Sequence, residues 1–478
     1  MIRGMVMLTD EPEDLDFEFG PYGEAEQKAS EAFELYEKGK MVEALDKLEL
    51  AVQIDPANCS WHFNKGLTLD ALDRYEQAIS EYELALAGNP EDVEILNSLA
   101  IDYTRNGQYE LAIGIFEKIQ QLQPDFEPCY CNRIITYTEM ELHTKAEEMF
   151  YLAQQLNPDC PLCYYNIGNS LFIRGNYPKA IWCWNKTAML EPSHPQIEYR
   201  IAQAYWAKGD LDAAKQHFLA ELRNNPGDTD VIFDLGILQL EIDEIDGAKE
   251  KFNRILELEP DYAPAIHYLG EIALDRKDYV TAAQRFLQAI EKDGTLPGPR
   301  YRLAQCAFIS KDRQSTRDYL TAEMNLYPVE PDVLLSMAWL FLEIDEPGLA
   351  VECLLQAANE EPENAHILHY LGLALATRQQ YDKAIEFLER AAELSPENTT
   401  IMRDCAQTYL AAGRITQAKQ IITSCLALAP QERDVIRLHQ HINTAFFLQR
   451  VREVFSKSTP KRRFSKPRSK LRKRHPLR

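Results

Sequence analysis

The sequence contains no apolar run approaching the ~18–20 uninterrupted residues that a membrane-spanning helix requires. Its opening, MIRGMVMLTD, is too short an apolar stretch for a secretory leader and passes straight into EPEDLDFEF. Strand patterns are almost missing, and no glycine-rich loop follows one, which excludes a phosphate-cradling nucleotide fold. None of the histidines stands with a matched nucleophile and acid, so nothing argues for a hydrolytic triad. Carboxylate pairs select no chemistry in a chain with 75 Asp and Glu. The 10 cysteines are scattered over apolar positions instead of forming a short framework. That usage predicts a reducing, cytoplasmic compartment and structural thiols. The chain reads as non-catalytic, with no cofactor.

What the sequence does have is charge and repetition. A net charge of −24 suits a protein that does not coat itself with nucleic acid. The total hides a segregation. Residues 457–478 hold eleven Lys or Arg and no acid, leaving −35 on residues 1–456, while residues 1–26 set eight acids against Arg3.

Prolines close a helical run at Pro56, Pro90, Pro124, Pro158, Pro192, Pro226 and Pro260, then at Pro328, Pro362, Pro396 and Pro430, always 34 residues or twice that apart. Twelve 34-residue units fit from Ala25 to Glu432 without an insertion. The eighth place of each is Gly or Ala, with Ile134 the exception; the twentieth is Ala, with Thr316 the exception. The twenty-fourth is always large and apolar, from Leu48 and Tyr82 to Leu388 and Ile422. His-Tyr-Leu-Gly at His267–Gly270 returns at His369–Gly372 because both units solve one packing problem. Apolar spacing of three and four, as at Ile266, Leu269, Gly270 and Ala273, predicts two helices per unit. Turns fall at Gly39, Gly107, Gly175, Gly209 and Gly413. One such pair cannot bury its own apolar face, so stability has to come from stacking on neighbours.

Period, small places, aromatics and prolines together resemble the tetratricopeptide repeat family over residues 25–432. The resemblance implies an all-α fold, a right-handed superhelix (α-solenoid) of antiparallel helix pairs, acting as a scaffold or adaptor that binds proteins. Around it the sequence predicts an acidic, mostly disordered segment (1–24), a C-terminal capping helix (433–456) with helical period through Ile436, His439, Ile442, Phe446, Phe447 and Val451, and a basic, disordered tail (457–478). The unit Pro297–Glu330, with Thr316 and DGTLPGP, is the least regular; it reads either as a softer joint or as drift within a tolerant repeat.

The resemblance also implies that first helices line an inner groove, through places two, five, nine, twelve and thirteen of each unit. The larger groups there include Phe63, Cys131, Tyr165, Phe172, Tyr199, Trp206, Phe233, Tyr301, Phe308 and Trp339. Aromatics of this kind commonly form interface hot spots, and an extended peptide or helix in the groove of units five to nine is the leading reading. The alternative for Phe172 and Trp206 is ordinary packing between helices. Asn132, Asn166, Asn169, Gln203 and Gln305 are placed to bond a partner's backbone, and Arg200, Arg302 and Arg403 to meet carboxylates. A clamp for a chaperone's terminal carboxylate, known in the family, fails here: Asn169 and Arg200 fit, but Tyr165 and Gln196 stand where lysines are needed.

No metal site is assigned. Cys129, Cys131, Cys160 and Cys163 supply four sulfurs, but they open neighbouring first helices an estimated ~10 Å apart, a spacing that does not converge ligands. His366 and His369 lack a third ligand. In the tail, Lys461, Arg462, Arg463, Lys466, Arg468, Lys470, Arg472, Lys473 and Arg474 suit RNA, DNA or ribosomal phosphate, an acidic protein surface, or anionic lipid. The protein is expected to be a monomer or weak homodimer.

Overall fold

The structure, a computed structural model, describes residues 21–326 and 329–458. The basic-tail residues Lys461 to Arg474 and most of the acidic segment lie outside the described residues. Every described residue in regular structure is helical. First helices of the repeats run Pro21–Glu37, Cys59–Asp70, Val93–Arg105, Glu127–Glu139, Pro161–Ile173, Ile197–Lys208, Thr229–Glu241, Ala263–Asp275, Pro299–Ile309, Pro331–Glu343, Ala365–Thr377 and Thr399–Ala411. Second helices run Met41–Ile54, Tyr75–Ala85, Tyr109–Leu122, His143–Leu156, Tyr177–Leu190, Leu211–Asn224, Ile245–Leu258, Tyr279–Lys292, Arg313–Met324, Pro347–Glu360, Tyr381–Leu394 and Ile415–Leu428, and Arg433–Ser458 follows. Each second helix starts at the seventeenth place of its unit.

The chain divides into two compact units, Met1–Lys251 and Phe252–Arg478, with the boundary inside Ile245–Leu258. Within each, a first helix packs antiparallel on its own second helix, and that second helix packs on the next first helix, an all-α solenoid. The division does not fall at the irregular Pro297–Glu330 repeat.

Caps and turns explain the constant frame. The thirty-fourth place supplies the N-cap of the next first helix: Asn58 accepts from Trp61 N (3.2 Å), and Asp92, Asp228, Asn364 and Asn398 do the same in their repeats. The fifteenth place takes a left-handed backbone in every repeat. Five repeats use glycine there, but Lys277 (φ 61°) and Lys311 (φ 62°) pay the steric cost of a Cβ. Lys277→Gly should therefore raise stability by ~0.5–1 kcal/mol, the relief of strain exceeding glycine's entropy loss. Unchanged hydrogen-exchange protection of Ala263–Asp275 and Tyr279–Lys292 would contradict this.

The small-against-large pairing is direct contact. A Cβ built on Gly66 would lie 2.5 Å from the Tyr82 ring, and one on Gly168 2.5 Å from Trp184 Nε1. The twenty-fourth side chains are at most 1% exposed except Phe150 at 8%, in the repeat where Ile134 occupies the small place. Thr316, the other exception, is tolerated because its hydroxyl donates to Asp312 O (2.7 Å), leaving no unpaired polar atom in the core.

In the irregular repeat both helices are short, and Arg313–Met324 packs only sparsely on Pro331–Glu343. A cavity of about 550 Å³ opens there, lined by His267, Tyr301, Arg302, Glu323 and Glu360 among others. The last helix buries Val435 and Ile442, with Leu438 packed beside them. Phe447 is 66% exposed, against the sequence expectation that it belongs to the apolar stripe. Instead Phe446 receives Lys419 Nζ over its ring at 4.3 Å.

The cysteine expectation is overturned. Cys131 and Cys163 are paired as a disulfide with Cα atoms 5.1 Å apart. The ~10 Å figure describes helix axes; side chains on the facing surfaces of two helices span that gap. Cys129 stays apart, donating to Phe116 O (3.3 Å).

Candidate functional site: the first-helix face

A first helix meets the next first helix through side chains one repeat and one residue further on. Asn132 Nδ2 donates to Asn97 Oδ1 (3.1 Å), Tyr199 Oη to Asp234 Oδ2 (2.8 Å), and Trp206 Nε1 to Glu241 Oε2 (2.6 Å). Asp70 pairs with Arg105, and His369 Nε2 with Asp404 Oδ2 (3.0 Å), at the same offset. Places five and twelve of one repeat thus bond places six and thirteen of the next. Helical geometry produces this: residues seven apart lie on one stripe, and stacking shifts adjoining helices by about one residue.

This ladder alters the roles of several groove residues. Asn166 is buried (3% exposed) and donates to Cys131 O (3.0 Å), so it is a structural tie and not a group offered to a partner. Arg302 is committed to Glu271 Oε1 (2.7 Å) and Gln305 Oε1 (3.0 Å), and Gln305 donates to Tyr301 Oη (2.7 Å). Arg200 reaches Gln203 Oε1 (3.4 Å), leaving its Nε buried without a partner. Arg403 is held by Asp404 Oδ1 (2.9 Å). Asn169 is half-buried.

Tyr199 and Trp206 have their polar ends tied, and Tyr165, Phe172, Tyr199, Trp206 and Phe233 have half-buried rings. Tyr165 lies 4.5 Å from the His194 ring, Phe172 packs on Trp184 (5.7 Å) and Tyr177 (5.5 Å), and Trp206 meets Phe218 edge-on (6.0 Å). Phe172 and Trp206 both rest on core rings, yet neither is fully covered. Phe63 sits 5.8 Å from Tyr82, and Phe233 is half-buried. In the second compact unit Phe308 and Trp339 are edge-to-face at 5.9 Å, and Trp339 is 44% exposed.

Electrostatics on this face follows from burial. Burial, with the Asp234 hydrogen bond, pushes the Tyr199 phenol up, and burial raises Asp234 even though Tyr199 and Gln203 donate to it. At the cavity, burial and then Arg302 push His267 down to about 4, so that its ring is neutral at pH 7. Asp102 is raised to about 8 by burial and by Asp70 beside it. It is only 1% exposed, so no substrate reaches it and its pKa does not mark a catalytic acid. Sequence reading missed the carboxylates Asp234, Glu241 and Glu271. Complementary groups spaced by 35 residues were the available signal for Asp234 and Glu241, and the 31-residue spacing to Arg302 for Glu271.

Among the described residues no helix is long and apolar enough to cross a membrane. A tetratricopeptide repeat profile matches residues 63–125, 165–229, 233–297 and 335–399, more than half the chain, and a second matches residues 375–442. The peroxisomal targeting signal receptors of Candida glabrata and Saccharomyces cerevisiae are 25% and 23% identical over 24% and 25% of this chain. The matched stretch spans about a fifth of those receptors' length, 19% and 20%. The C-terminal part of a TPR repeat-containing protein from Cytophaga hutchinsonii is similar at 18% identity, covering 50% of this chain and 98% of that one, with a TM-score of 0.42. The profile matches and the 34-residue frame of helix pairs agree, and the chain belongs to the tetratricopeptide repeat family, whose members are characteristically non-catalytic scaffolds and adaptors.

Proposed function

We propose that this protein is a non-catalytic scaffold that holds a partner protein's extended segment or helix against its first helices, centred on Tyr165, Tyr199, Trp206 and Phe233. The observation that carries this is the tethering of Tyr199 to Asp234 and Trp206 to Glu241, with both rings only half-buried. A ring whose polar end is already bonded costs little further entropy or desolvation when its face is covered by a ligand. Tyr301, Phe308 and the more exposed Trp339 form a second aromatic group on the other compact unit.

Affinity purification of the wild-type chain and of Tyr199→Ala/Trp206→Ala, followed by mass spectrometry, is the test. A specific partner should be lost from the double variant with helicity unchanged, and retained by Tyr199→Phe, which keeps the ring. Loss of helical signal in the double variant would assign the rings to the core and end this reading.

The charge segregation supports a second reading for residues 457–478, binding of nucleic-acid or ribosomal phosphate. Deleting them should abolish RNA retention and its steep salt dependence while leaving the protein partner bound. If the intact chain retains no RNA at ~0.15 M salt, this reading fails.

A further inference from the structure

Four potential ligand atoms converge where the fourth repeat meets the fifth. The sulfurs of Cys131, Cys160 and Cys163 and a carboxylate oxygen of Glu127 all lie within 4.8 Å of one another, and the three cysteines are buried. Glu127 and Cys131 are one turn apart on Glu127–Glu139; Cys160 and Cys163 flank the start of Pro161–Ile173. Cys160 Sγ is 3.6 Å from Cys131 Sγ, while Glu127 Oε1 is 2.8 Å from Cys131 Sγ and 3.1 Å from Cys163 Sγ.

A disulfide accounts for two of these four groups. It leaves a third thiol against Cys131 and a carboxylate aimed at two sulfurs that, once joined, have no proton to donate. A divalent cation accounts for all four. Four ligands around zinc, at ~2.3 Å for sulfur and ~2.0 Å for oxygen, stand roughly 3.5–3.8 Å from one another; Cys131 and Cys160 are already at that separation, and opening the disulfide lets the remaining atoms, all within 4.8 Å, spread to it. A further feature fits thiolate ligation. Cys160 occupies the N-cap place that carries Asn or Asp in five other repeats, and its sulfur accepts from Cys163 N at 3.4 Å.

We propose that the reduced chain binds one zinc ion through Cys131, Cys160, Cys163 and Glu127, a clamp between adjacent first helices. The Cys131–Cys163 disulfide is the metal-free, oxidised form of the same site. A dithiol reagent supplies two electrons and two protons to open that bond, becoming a cyclic disulfide itself. Binding then releases the three thiol protons, so affinity rises with pH.

The test uses the full chain, reduced, stripped with a chelator and titrated with Zn²⁺ or Co²⁺ alone. One equivalent should bind, cobalt giving the visible bands of a tetrahedral thiolate site, and zinc should raise the thermal midpoint until a chelator reverses it. Cys160→Ser is the decisive variant. Serine is a favoured N-cap, so folding is kept and the Cys131–Cys163 disulfide can still form. Zinc affinity should nevertheless fall by more than the roughly 10–100-fold typical of losing an outer-shell partner. Glu127→Gln should weaken binding without abolishing it, and Cys59→Ser, outside the cluster, should bind as wild type does. The proposal is overturned if the reduced chain takes up no zinc, or if Cys160→Ser binds it as tightly as the wild type.

Discussion

Gly168→Ala should destabilise the fifth repeat by about 1–3 kcal/mol, the range for overfilling a packed core. The added methyl would lie 2.5 Å from Trp184 Nε1, and the indole cannot swing away. Trp184 is 1% exposed, packs 5.7 Å from Phe172, and donates to Tyr165 O (3.2 Å). Moving it sacrifices that bond and opens space elsewhere. The compensating change is already written in the chain, because the third and sixth repeats pair Ala100 with Phe116 and Ala202 with Phe218, all buried. Gly168→Ala combined with Trp184→Phe should recover part of the loss, a coupling of ~1 kcal/mol or more between residues in contact. Hydrogen-exchange protection of Pro161–Ile173 and Tyr177–Leu190 reports the local effect, which a global melt of a repeat array would average out. Additive losses in the double variant would show that the eighth and twenty-fourth places do not share one space.

Stability should fall as pH rises above the ordinary carboxylate range towards ~8, by on the order of 1 kcal/mol per unit at most from Asp102 alone. Its folded carboxyl is raised from 3.8 to about 8, chiefly by burial and next by Asp70. Between those values the folded state holds a proton that the unfolded state has released, so alkali favours unfolding. Neither Asp102 oxygen has a hydrogen-bond partner, and Arg105, at 3.7 Å, is shared with Asp70. Asp102→Asn keeps the shape and removes the charge. It should flatten this limb and stabilise the protein at pH 8 by ~2 kcal/mol or more in urea denaturation. Exposed carboxylates act with the opposite sign: Lys47 beside Glu31, and Thr281 donating to Asp278, hold those groups below their usual range, a contribution lost as acid protonates them. A limb of unchanged slope in Asp102→Asn would show that Asp102 is ionised in the folded state.

Much of this was legible before any coordinates. The period predicted two helices in every unit with a turn between them, because a proline, a small residue and a large residue locked to one interval admit few other arrangements; the seventeenth place as the start of each second helix is what the structure adds. The groove residues were harder. Tyr199 and Trp206 could be named from the places that the family resemblance implies for the inner face, whereas Asn166 looked available and is a tie to Cys131 O. Whether a polar group faces a ligand or its neighbour depends on the shift between adjacent helices, which no single repeat encodes.

Local chemistry, repeated at a fixed interval, determined the helices, their caps, their turns and the small-against-large contact inside each pair, since every one of those interactions joins residues close in sequence. Tertiary structure alone decided what crosses from one unit to the next: the Tyr199–Asp234 and Trp206–Glu241 ties, the cavity beside Tyr301, and the meeting of Glu127, Cys131, Cys160 and Cys163. Those depend on how closely two helices approach and how far one slides along the other. A slide of one residue moves a side chain about 1.5 Å along the axis and 100° around it, enough to make or break each of these contacts without changing the pattern in the sequence.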